Sequence, residues 1–325
     1  MEHLSFPSIE QFRTVVKTVR DTCSYHGCNL PVLEFKGTPK LHGTNASVVL
    51  DTKNNELYAQ SRSNVLSLEK DNAGFCQFFE TNLDFFKNWL KSISKQGSQY
   101  VSIYGEWCGG SIQKGVALNS LEKMFVIFAI RYSNFDEENS IHSVWDFDEI
   151  VVPFNNLRIY SINEFPSYNI IIDFNVPENS QNQLIGYTNE VEAECPIGKY
   201  FGVSGIGEGI VWRSNFNNRH LLFKVKGERH SSSKVRKLAA VDVEIIKNTK
   251  ELVESIVSEN RLNQGVQVLT EQGIEITNKA TKDFIDWVRK DVLKEEKDTI
   301  LASGLDFSKV LAAVSSKAGK WFNQR

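Results

Sequence analysis

The pattern of apolar residues changes once along the chain, near Ser231-Ser232-Ser233. Before this run, short segments rich in β-branched and aromatic residues are separated by Gly, Asn and Pro, which is typical of strands. Beyond it, apolar residues recur at helical spacing and strand-like segments are almost absent. Because strands and helices do not alternate regularly, we predict an α+β fold. Largely antiparallel sheets flanked by helices are expected over 1–232, and a small all-α domain over 233–325.

Individual elements follow from the same periodicities. A capping box from Ser8 to Gln11 precedes apolar residues at helical spacing and predicts an N-terminal helix. A second helix is expected over 75–94, and Asn278 and Ser308 are the expected N-caps of the last two helices. The predicted strands are Val32–Phe35, Ala46–Leu50, Leu57–Ser61, Tyr100–Tyr104, Met124–Tyr132, Ile170–Phe174, Gly209–Arg213 and Leu221–Lys226.

Charge and cysteine content argue against several classes of protein. The net charge is −3, so a surface for nucleic acid would be a local basic patch rather than a property of the whole chain. The five cysteines are scattered without a CxxC pair, which favours reduced thiols in a cytoplasmic protein. A zinc site from Cys23, His26 and Cys28 would lack a second ligand pair. No stretch approaches the roughly 20 apolar residues of a membrane span, so no membrane partner is expected.

The run from Lys40 to Asn45, Lys-Leu-His-Gly-Thr-Asn, contains the first candidate for covalent chemistry. It follows Gly37-Thr38-Pro39, which cannot continue a regular element, and precedes a predicted strand. The lysine is therefore expected where a loop meets a strand, and Gly43 lets the backbone approach a ligand closely. A single lysine in such a place is usually a solvated surface residue, so the interpretation depends on segments farther along the chain.

Three later segments carry carboxylates or lysines at strand ends. Glu106 ends an apolar strand, and Glu208 lies between two glycines where another strand begins. Lys224 and Lys226 are predicted to project from one face of a strand, because side chains alternate along it. Two adjacent ammonium groups repel each other unless an anion such as a phosphate chain neutralises them. The alternative is a solvated strand edge on which lysines oppose aggregation.

In this order, the segments resemble the motifs of the covalent nucleotidyltransferase superfamily, which comprises polynucleotide ligases and mRNA capping enzymes. Lys40–Asn45 matches its first motif, Glu106 the third, Glu208-Gly209 the fourth and Lys224–Lys226 the fifth. The form Lys-x-His-Gly-Thr-Asn is similar to the RNA ligase 2 family, which includes the trypanosome editing ligases. The resemblance covers nearly the whole chain. It implies an adenylyltransferase domain over 1–232, followed by helices over 233–325 where DNA ligases and capping enzymes carry an OB fold.

The resemblance implies an ATP-dependent RNA ligase that joins a 3′-hydroxyl to a 5′-phosphate in three steps. Lys40 would attack the α-phosphate of ATP, AMP would pass to the RNA 5′-phosphate, and the 3′-hydroxyl would displace AMP. Each step is a displacement at phosphorus, so the protein contributes positioning and charge neutralisation. Lys224 and Lys226 are expected to assist, because nearby positive charge favours an uncharged Lys40 amine. Expected cofactors are ATP and Mg²⁺, with Mn²⁺ as a substitute, and the expected substrate is nicked or duplex RNA in repair.

The same resemblance implies roles for individual residues. The residues expected to bind the nucleotide are His42, Asn45, Arg62, Glu106, Phe128 and Glu208. Phe128 would stack on adenine, Glu106 would bind the ribose and Arg62 a phosphate, and Glu208 would also bind the metal. The alternative for Phe128 is a core aromatic in an apolar strand.

Basic residues are concentrated at the predicted domain junction. They are Arg219, Lys224, Lys226, Arg229, Lys234, Arg236 and Lys237. Such a patch predicts contact with nucleic-acid phosphates without sequence readout, although an ordinary solubilising linker has a similar composition.

Three residues depart from the family pattern and keep alternatives open. Pro39 replaces an expected Glu, Ala129 an expected Asp, and Arg213 a common Lys. Pro39 and Ala129 support the alternative of a catalytically decayed RNA-binding protein. A DNA ligase with the same chemistry is a second alternative. A capping-type guanylyltransferase is less well supported, because no OB-like strands follow Lys226.

Overall fold

A computed structural model describes residues 1–110, 112–135, 141–231 and 248–325 of the chain and confirms the α+β fold. The described helices are α1 (Phe12–His26), α2 (Phe75–Thr81), α3 (Leu83–Ile93), α4 (Gln181–Ala193), α5 (Pro196–Tyr200), α6 (Thr249–Ile256), α7 (Glu259–Glu271), α8 (Thr281–Ala302) and α9 (Phe307–Asn323). The described strands are β1 (Val32–Pro39), β2 (Thr44–Asp51), β3 (Glu56–Ser61), β4 (Tyr100–Cys108), β5 (Met124–Phe135), β6 (Ile141–Asp146), β7 (Ile159–Ser161), β8 (Tyr168–Asp173), β9 (Gly209–Phe216) and β10 (Arg219–Lys226). Within these ranges, no helix is both long and apolar enough to cross a membrane.

The chain divides into two compact units. The first consists of Met1–Ser8, Thr38–Ser167 and Ala193–Glu208, and the second of Ile9–Gly37, Tyr168–Glu192 and Gly209–Arg325. The predicted domain boundary between 232 and 233 falls within 232–247, outside the described residues, and stays a prediction.

The first unit contains a six-stranded sheet in the order β3-β2-β4-β5-β6, with β7 running parallel to β5. The other pairs in this sheet are antiparallel. The buried side chains Phe75 and Phe86, from α2 and α3, share a core with Val48 and Ile103 of the sheet. The prediction of one continuous helix over 75–94 is wrong, because the segment forms two helices. Asn82 leaves the helical conformation (φ −121°, ψ 28°) and separates α2 from α3.

The second unit contains a four-stranded sheet in the order β10-β9-β1-β8, and α1 packs against it through Phe12 and Val19. The predicted capping box from Ser8 is wrong, because α1 begins at Phe12 and its N-cap, Gln11, makes no side-chain cap. The reason lies in Glu10, whose backbone N–H donates to Leu222 O and whose carbonyl accepts from Lys224 N–H. This bridge to β10 keeps the preceding backbone extended, so the helix starts later.

Helices α6 to α9 also belong to the second unit and enclose an apolar core that includes Leu252, Phe284 and Val314. The two predicted caps in this segment are wrong. Asn278 lies in a short 3-10 turn ahead of α8, and Ser308 lies inside α9. The side chain of Asp306, two residues earlier, accepts from Lys309 N–H and takes the capping position instead.

A network of buried charges links α7 and α8 in the second unit. Arg261 is 0% exposed and donates to Asp291 at 2.8 Å and to Glu295 at 3.1 Å. Glu296 lies 3.5 Å from the same guanidinium and 3.4 Å from Arg13 of α1. Burial, followed by the neighbouring charge of Glu295, raises the pKa of Asp291. Arg261 thus offsets part of the hydration that these carboxylates lose, of which Glu296 is the most buried at 2% exposed.

Replacing Arg261 with alanine is expected to destabilise this unit strongly, since three carboxylates would lose their shared partner. Removing one member of a buried ion pair typically costs about 3–5 kcal/mol in the free energy of unfolding. Denaturant titration followed by circular dichroism measures the change. Lys317→Ala serves as a control, because its partner Glu254 is 61% exposed and surface pairs contribute about 1 kcal/mol or less. Equal effects of the two substitutions would contradict the structural role of Arg261.

Candidate active site

Lys40 contacts a buried carboxylate within the first unit. Its Nζ donates to Glu208 Oε2 at 2.8 Å and to the Leu41 carbonyl at 3.3 Å. His42 Nδ1 lies 3.1 Å from the same Glu208 oxygen, and Glu208 is only 2% exposed. One buried carboxylate oxygen is therefore shared by two basic side chains, which offset the cost of removing it from water.

Gly43 brings the loop after Lys40 close to strand β4. A Cβ at Gly43 would collide with the Trp107 carbonyl oxygen and with Cys108, so only glycine allows this approach. The Gly43 N–H donates to Glu106 Oε1 at 3.0 Å. The pairing of β2 with β4 sets this arrangement, because it places Asn45 opposite Glu106. The loop is thus anchored by one predicted site carboxylate on β4 and by another, Glu208, just ahead of β9.

Asn72 supports the same region and was not predicted from the sequence. Its Nδ2 donates to Thr44 Oγ1 at 2.9 Å and to the Asn45 carbonyl at 3.4 Å. The residue is buried in the turn before α2, far from Thr44 along the chain. A single Asn ahead of a helix is a common turn residue, so the local sequence carries no signal of this contact.

Phe128 occupies a β-bulge. Tyr104 of β4 pairs with Ala129 of β5, whereas the next residue, Gly105, pairs with Ile127. Phe128 is thereby left without a partner across the ladder, and bulges beside functional sites commonly redirect a side chain. Its half-buried ring packs against the apolar cluster that contains Leu41, the neighbour of Lys40. The predicted aromatic therefore lies against the same core as the loop that carries the lysine.

The remaining predicted site residues occupy different positions. Arg62 lies in the exposed turn after β3. Lys224 and Lys226 lie on β10 of the second unit, where both are half-buried and Val225 between them is buried, as expected for two lysines on one face. Lys224 Nζ donates to Glu295 Oε1 at 3.2 Å, so a carboxylate of α8 already binds it.

The predicted basic patch is only partly described. Arg219, Lys224, Lys226 and Arg229 lie within the described residues, on β10 or just after it. The other three members, Lys234, Arg236 and Lys237, lie outside them. The patch therefore stays a prediction.

Cysteine is a poor candidate nucleophile at this site. Burial, followed by the charge of Glu106, raises the pKa of the Cys108 thiol well above its usual range. Burial also raises the pKa of Cys195, which shares the Leu41 cluster. Thiols with raised pKa values stay protonated and unreactive at neutral pH, which argues against either cysteine as a nucleophile.

One comparison with known proteins identifies a family. A family model described as RNA ligase matches residues 33–226, more than half of the chain. A comparison with curated proteins finds no match. Among solved structures, the chain is similar to a Naegleria gruberi RNA ligase mutant with ATP and Mn (TM-score 0.41, 16% identity, covering 70% of this chain and 57% of that chain). It is also similar to the Naegleria gruberi RNA ligase with PPi (TM-score 0.42, 15% identity, covering 70% and 56%). The chain thus spans a little over half the length of these proteins.

Gly43→Ala is expected to destabilise the first unit, because the added methyl group must push the loop away from Trp107 and weaken the hydrogen bond to Glu106. Overpacking of this kind costs about 1–3 kcal/mol, measurable as a lower thermal unfolding midpoint. Gly186→Ala is the matched control, since a Cβ there meets nothing within 4 Å and the residue lies within helix α4. The control is expected to be neutral or stabilising by up to about 1 kcal/mol. An unchanged midpoint for Gly43→Ala would refute the close approach.

Proposed function

The chain belongs to the RNA ligase family of the nucleotidyltransferase superfamily, and from that premise we propose that it is an ATP-dependent RNA ligase whose nucleophile is Lys40. The matched region, 33–226, contains the loop from Lys40 and the lysines of β10. The observation that supports the proposal most directly is the 2.8 Å contact between Lys40 Nζ and the buried Glu208 carboxylate. A lysine on a merely solvated loop would have no such partner.

The proposed first step joins Lys40 Nζ to the α-phosphorus of ATP and breaks the bond between that phosphorus and the pyrophosphate oxygen, so pyrophosphate leaves. Nζ gives up two of its three ammonium protons, one to Glu208 and one to solvent, and keeps the third in the phosphoramidate. Glu208 is within hydrogen-bond reach of Nζ, the geometry required of a group that accepts a proton. His42 contacts the same oxygen and helps to hold the carboxylate in place. AMP then passes to the RNA 5′-phosphate, and the 3′-hydroxyl displaces it to seal the strand.

We propose that Glu208 and the phosphates of the nucleotide together hold a divalent metal ion at this site. No group of three or more His, Cys, Asp or Glu side chains among the described residues is arranged to hold a metal ion. Mg²⁺ is usually held by one or two carboxylates together with substrate phosphates, and Glu208 provides a hard oxygen ligand of this kind. When bound, Mg²⁺ or Mn²⁺ would neutralise charge on the phosphates.

The nucleotide is proposed to lie between Phe128 and the carboxylate of Glu106. Phe128 would stack on the adenine ring, and its place in a bulge beside the Leu41 cluster supports this role. Glu106 already accepts from Gly43 N–H, but a carboxylate has acceptor positions for about four hydrogen bonds, so a ribose hydroxyl is compatible with that contact. His42, Asn45 and Arg62 are proposed to contact the phosphates.

The two lysines of β10 are proposed to bind the phosphates of the nucleotide through their positive charge. Lys224 would contact the α-phosphate, and Lys226 would supply neighbouring positive charge. The proposed substrate is a nicked or duplex RNA with a 3′-hydroxyl and a 5′-phosphate, as in RNA repair. The predicted basic patch would bind its phosphates, so binding should weaken steeply with salt. The patch consists of Arg219, Lys224, Lys226, Arg229, Lys234, Arg236 and Lys237.

Incubation with ATP and Mg²⁺ is expected to increase the intact mass of the protein by one adenylate. Lys40→Ala should abolish this adduct because it removes the attacking amine, whereas Lys53→Ala, in an exposed turn, should retain it. GTP in place of ATP tests the capping-type alternative. An adduct of equal yield in Lys40→Ala would place the nucleophile elsewhere. No adduct in the native protein with either metal would favour the decayed RNA-binding alternative.

Nicked duplexes with a 3′-hydroxyl on RNA or on DNA distinguish an RNA ligase from a DNA ligase. We expect faster sealing when the 3′-hydroxyl strand is RNA, because family membership indicates RNA ends as substrates. Gel analysis of single-turnover sealing measures both rates under the same salt concentration. Faster sealing of the DNA strand would reverse the assignment while leaving the adenylylation chemistry intact.

A further inference from the structure

The segment 2–6 is bound to strands β3 and β4 of the first unit by buried polar side chains. Leu4 N–H donates to Gln60 Oε1 at 3.0 Å, and Gln60 Nε2 donates back to the Leu4 carbonyl. The Tyr104 hydroxyl donates to that carbonyl at 2.7 Å. Gln60 and Tyr104 are almost completely buried. Because buried polar groups must be hydrogen-bonded, these side chains require the segment in this position and hold its backbone in register.

This register places the Phe6 ring among three other aromatic rings. Phe6 is 5% exposed, and its centroid lies 5.0 Å from that of Phe128 at an interplanar angle of 70°. It lies 5.3 Å from Trp145 at 89° and 5.5 Å from Tyr104 at 49°. Edge-to-face pairs of this geometry are favourable, because the positive edge of one ring meets the negative face of another.

Phe128 depends on such a contact more than an ordinary strand residue does. The bulge leaves it without a residue opposite on β4, so the ladder does not determine where its ring lies. The ring is half-buried, and its contacts on the protein side come from Phe6 and the Leu41 cluster. An edge-to-face contact occupies at most one face of Phe128, and the ring is only half-buried.

We propose that Phe6 is a positioning residue for the nucleotide base: it fixes the ring of Phe128 so that one face is presented to a purine. The proposal rests on the proposed function, because it takes Phe128 as the residue that stacks on adenine. Phe6 itself does not touch the base. Its effect should therefore appear in the binding of the base, and only when Phe128 is present.

The test compares Phe6→Leu with Leu4→Ala in the adenylylation of Lys40. Phe6→Leu keeps an apolar side chain but removes the aromatic edge. Leu4→Ala perturbs the same segment, yet its side chain packs in a separate cluster with Val49, Tyr58 and Tyr100. Three quantities are measured for each variant: the apparent KM for ATP, the maximal rate of adduct formation and the inhibition constant of pyrophosphate. Pyrophosphate has no base, so its binding reports on the phosphate site alone. Thermal unfolding verifies that both variants are folded.

Phe6→Leu is expected to raise the apparent KM for ATP about tenfold, which corresponds to about 1.4 kcal/mol. The maximal rate and the inhibition constant of pyrophosphate should stay within about twofold of the native values. Leu4→Ala should lower the unfolding midpoint without changing the KM. The double variant Phe6→Leu with Phe128→Leu should bind ATP no more weakly than Phe128→Leu alone, because coupled residues are not additive.

Three results would overturn the proposal while leaving the proposed function intact. The first is an unchanged KM in Phe6→Leu, and the second is fully additive effects in the double variant. The third is a parallel rise in the inhibition constant of pyrophosphate, since it would indicate a general loss of site structure. If the native protein forms no adenylate adduct, the proposed function fails and the role of Phe6 fails with it.

Discussion

The buried carboxylate of Glu208 is the constraint on which the organisation of the first unit's site depends. A carboxylate removed from water costs several kcal/mol unless cations and hydrogen-bond donors compensate for the lost hydration. Here the compensation comes from Lys40 and His42, which contact one of its oxygens at 2.8 and 3.1 Å. The two partners lie in a single loop more than 160 residues earlier in the chain. Their pairing therefore ties a distant segment to that loop and determines where the amine of Lys40 lies.

The sheet of the first unit positions the other groups around this pair. The register of β2 against β4 places Glu106 where it accepts from Gly43, and the absence of a side chain at Gly43 allows the close approach. A β-bulge between β4 and β5 leaves Phe128 without a paired residue on β4. Regular pairing thus determines the polar part of the site, whereas a bulge determines the aromatic part. Gly105 lies at this bulge and allows the two strands to approach closely there, because a Cβ at this position would collide with Phe125 and the Val126 carbonyl.

The second unit uses charge in a different way. Asp291, Glu295 and Glu296 lie on successive turns of α8 and surround the fully buried Arg261. Glu295 also contacts Lys224 of β10, so the C-terminal helices are connected electrostatically to a strand that carries a predicted phosphate-binding lysine. Replacing such a network by apolar residues is often neutral or stabilising, whereas removing one member of it is destabilising.

Local pattern was sufficient for much of the fold. Every strand predicted from alternation coincides with a strand of the structure, and the α+β class and the C-terminal helices follow from periodicity alone. The predicted element boundaries were less accurate. Glu10 pairs with the distant strand β10 and delays the start of α1. The other two errors are local, because Asp306 takes the cap position in place of Ser308 and Asn82 interrupts a helix whose apolar spacing is continuous.

The sequence by itself determined which residue types are present at motif spacing: a lysine at a loop, carboxylates at strand ends and two lysines on one strand face. Only the tertiary structure decided their partners, because hydrogen bonds and ring contacts depend on distances between segments that are far apart in the chain. The pairing of Lys40 with Glu208, the support of Thr44 by Asn72 and the contact of Phe6 with Phe128 are all of this kind. No local periodicity encodes them, since each arises from the packing of one element against another.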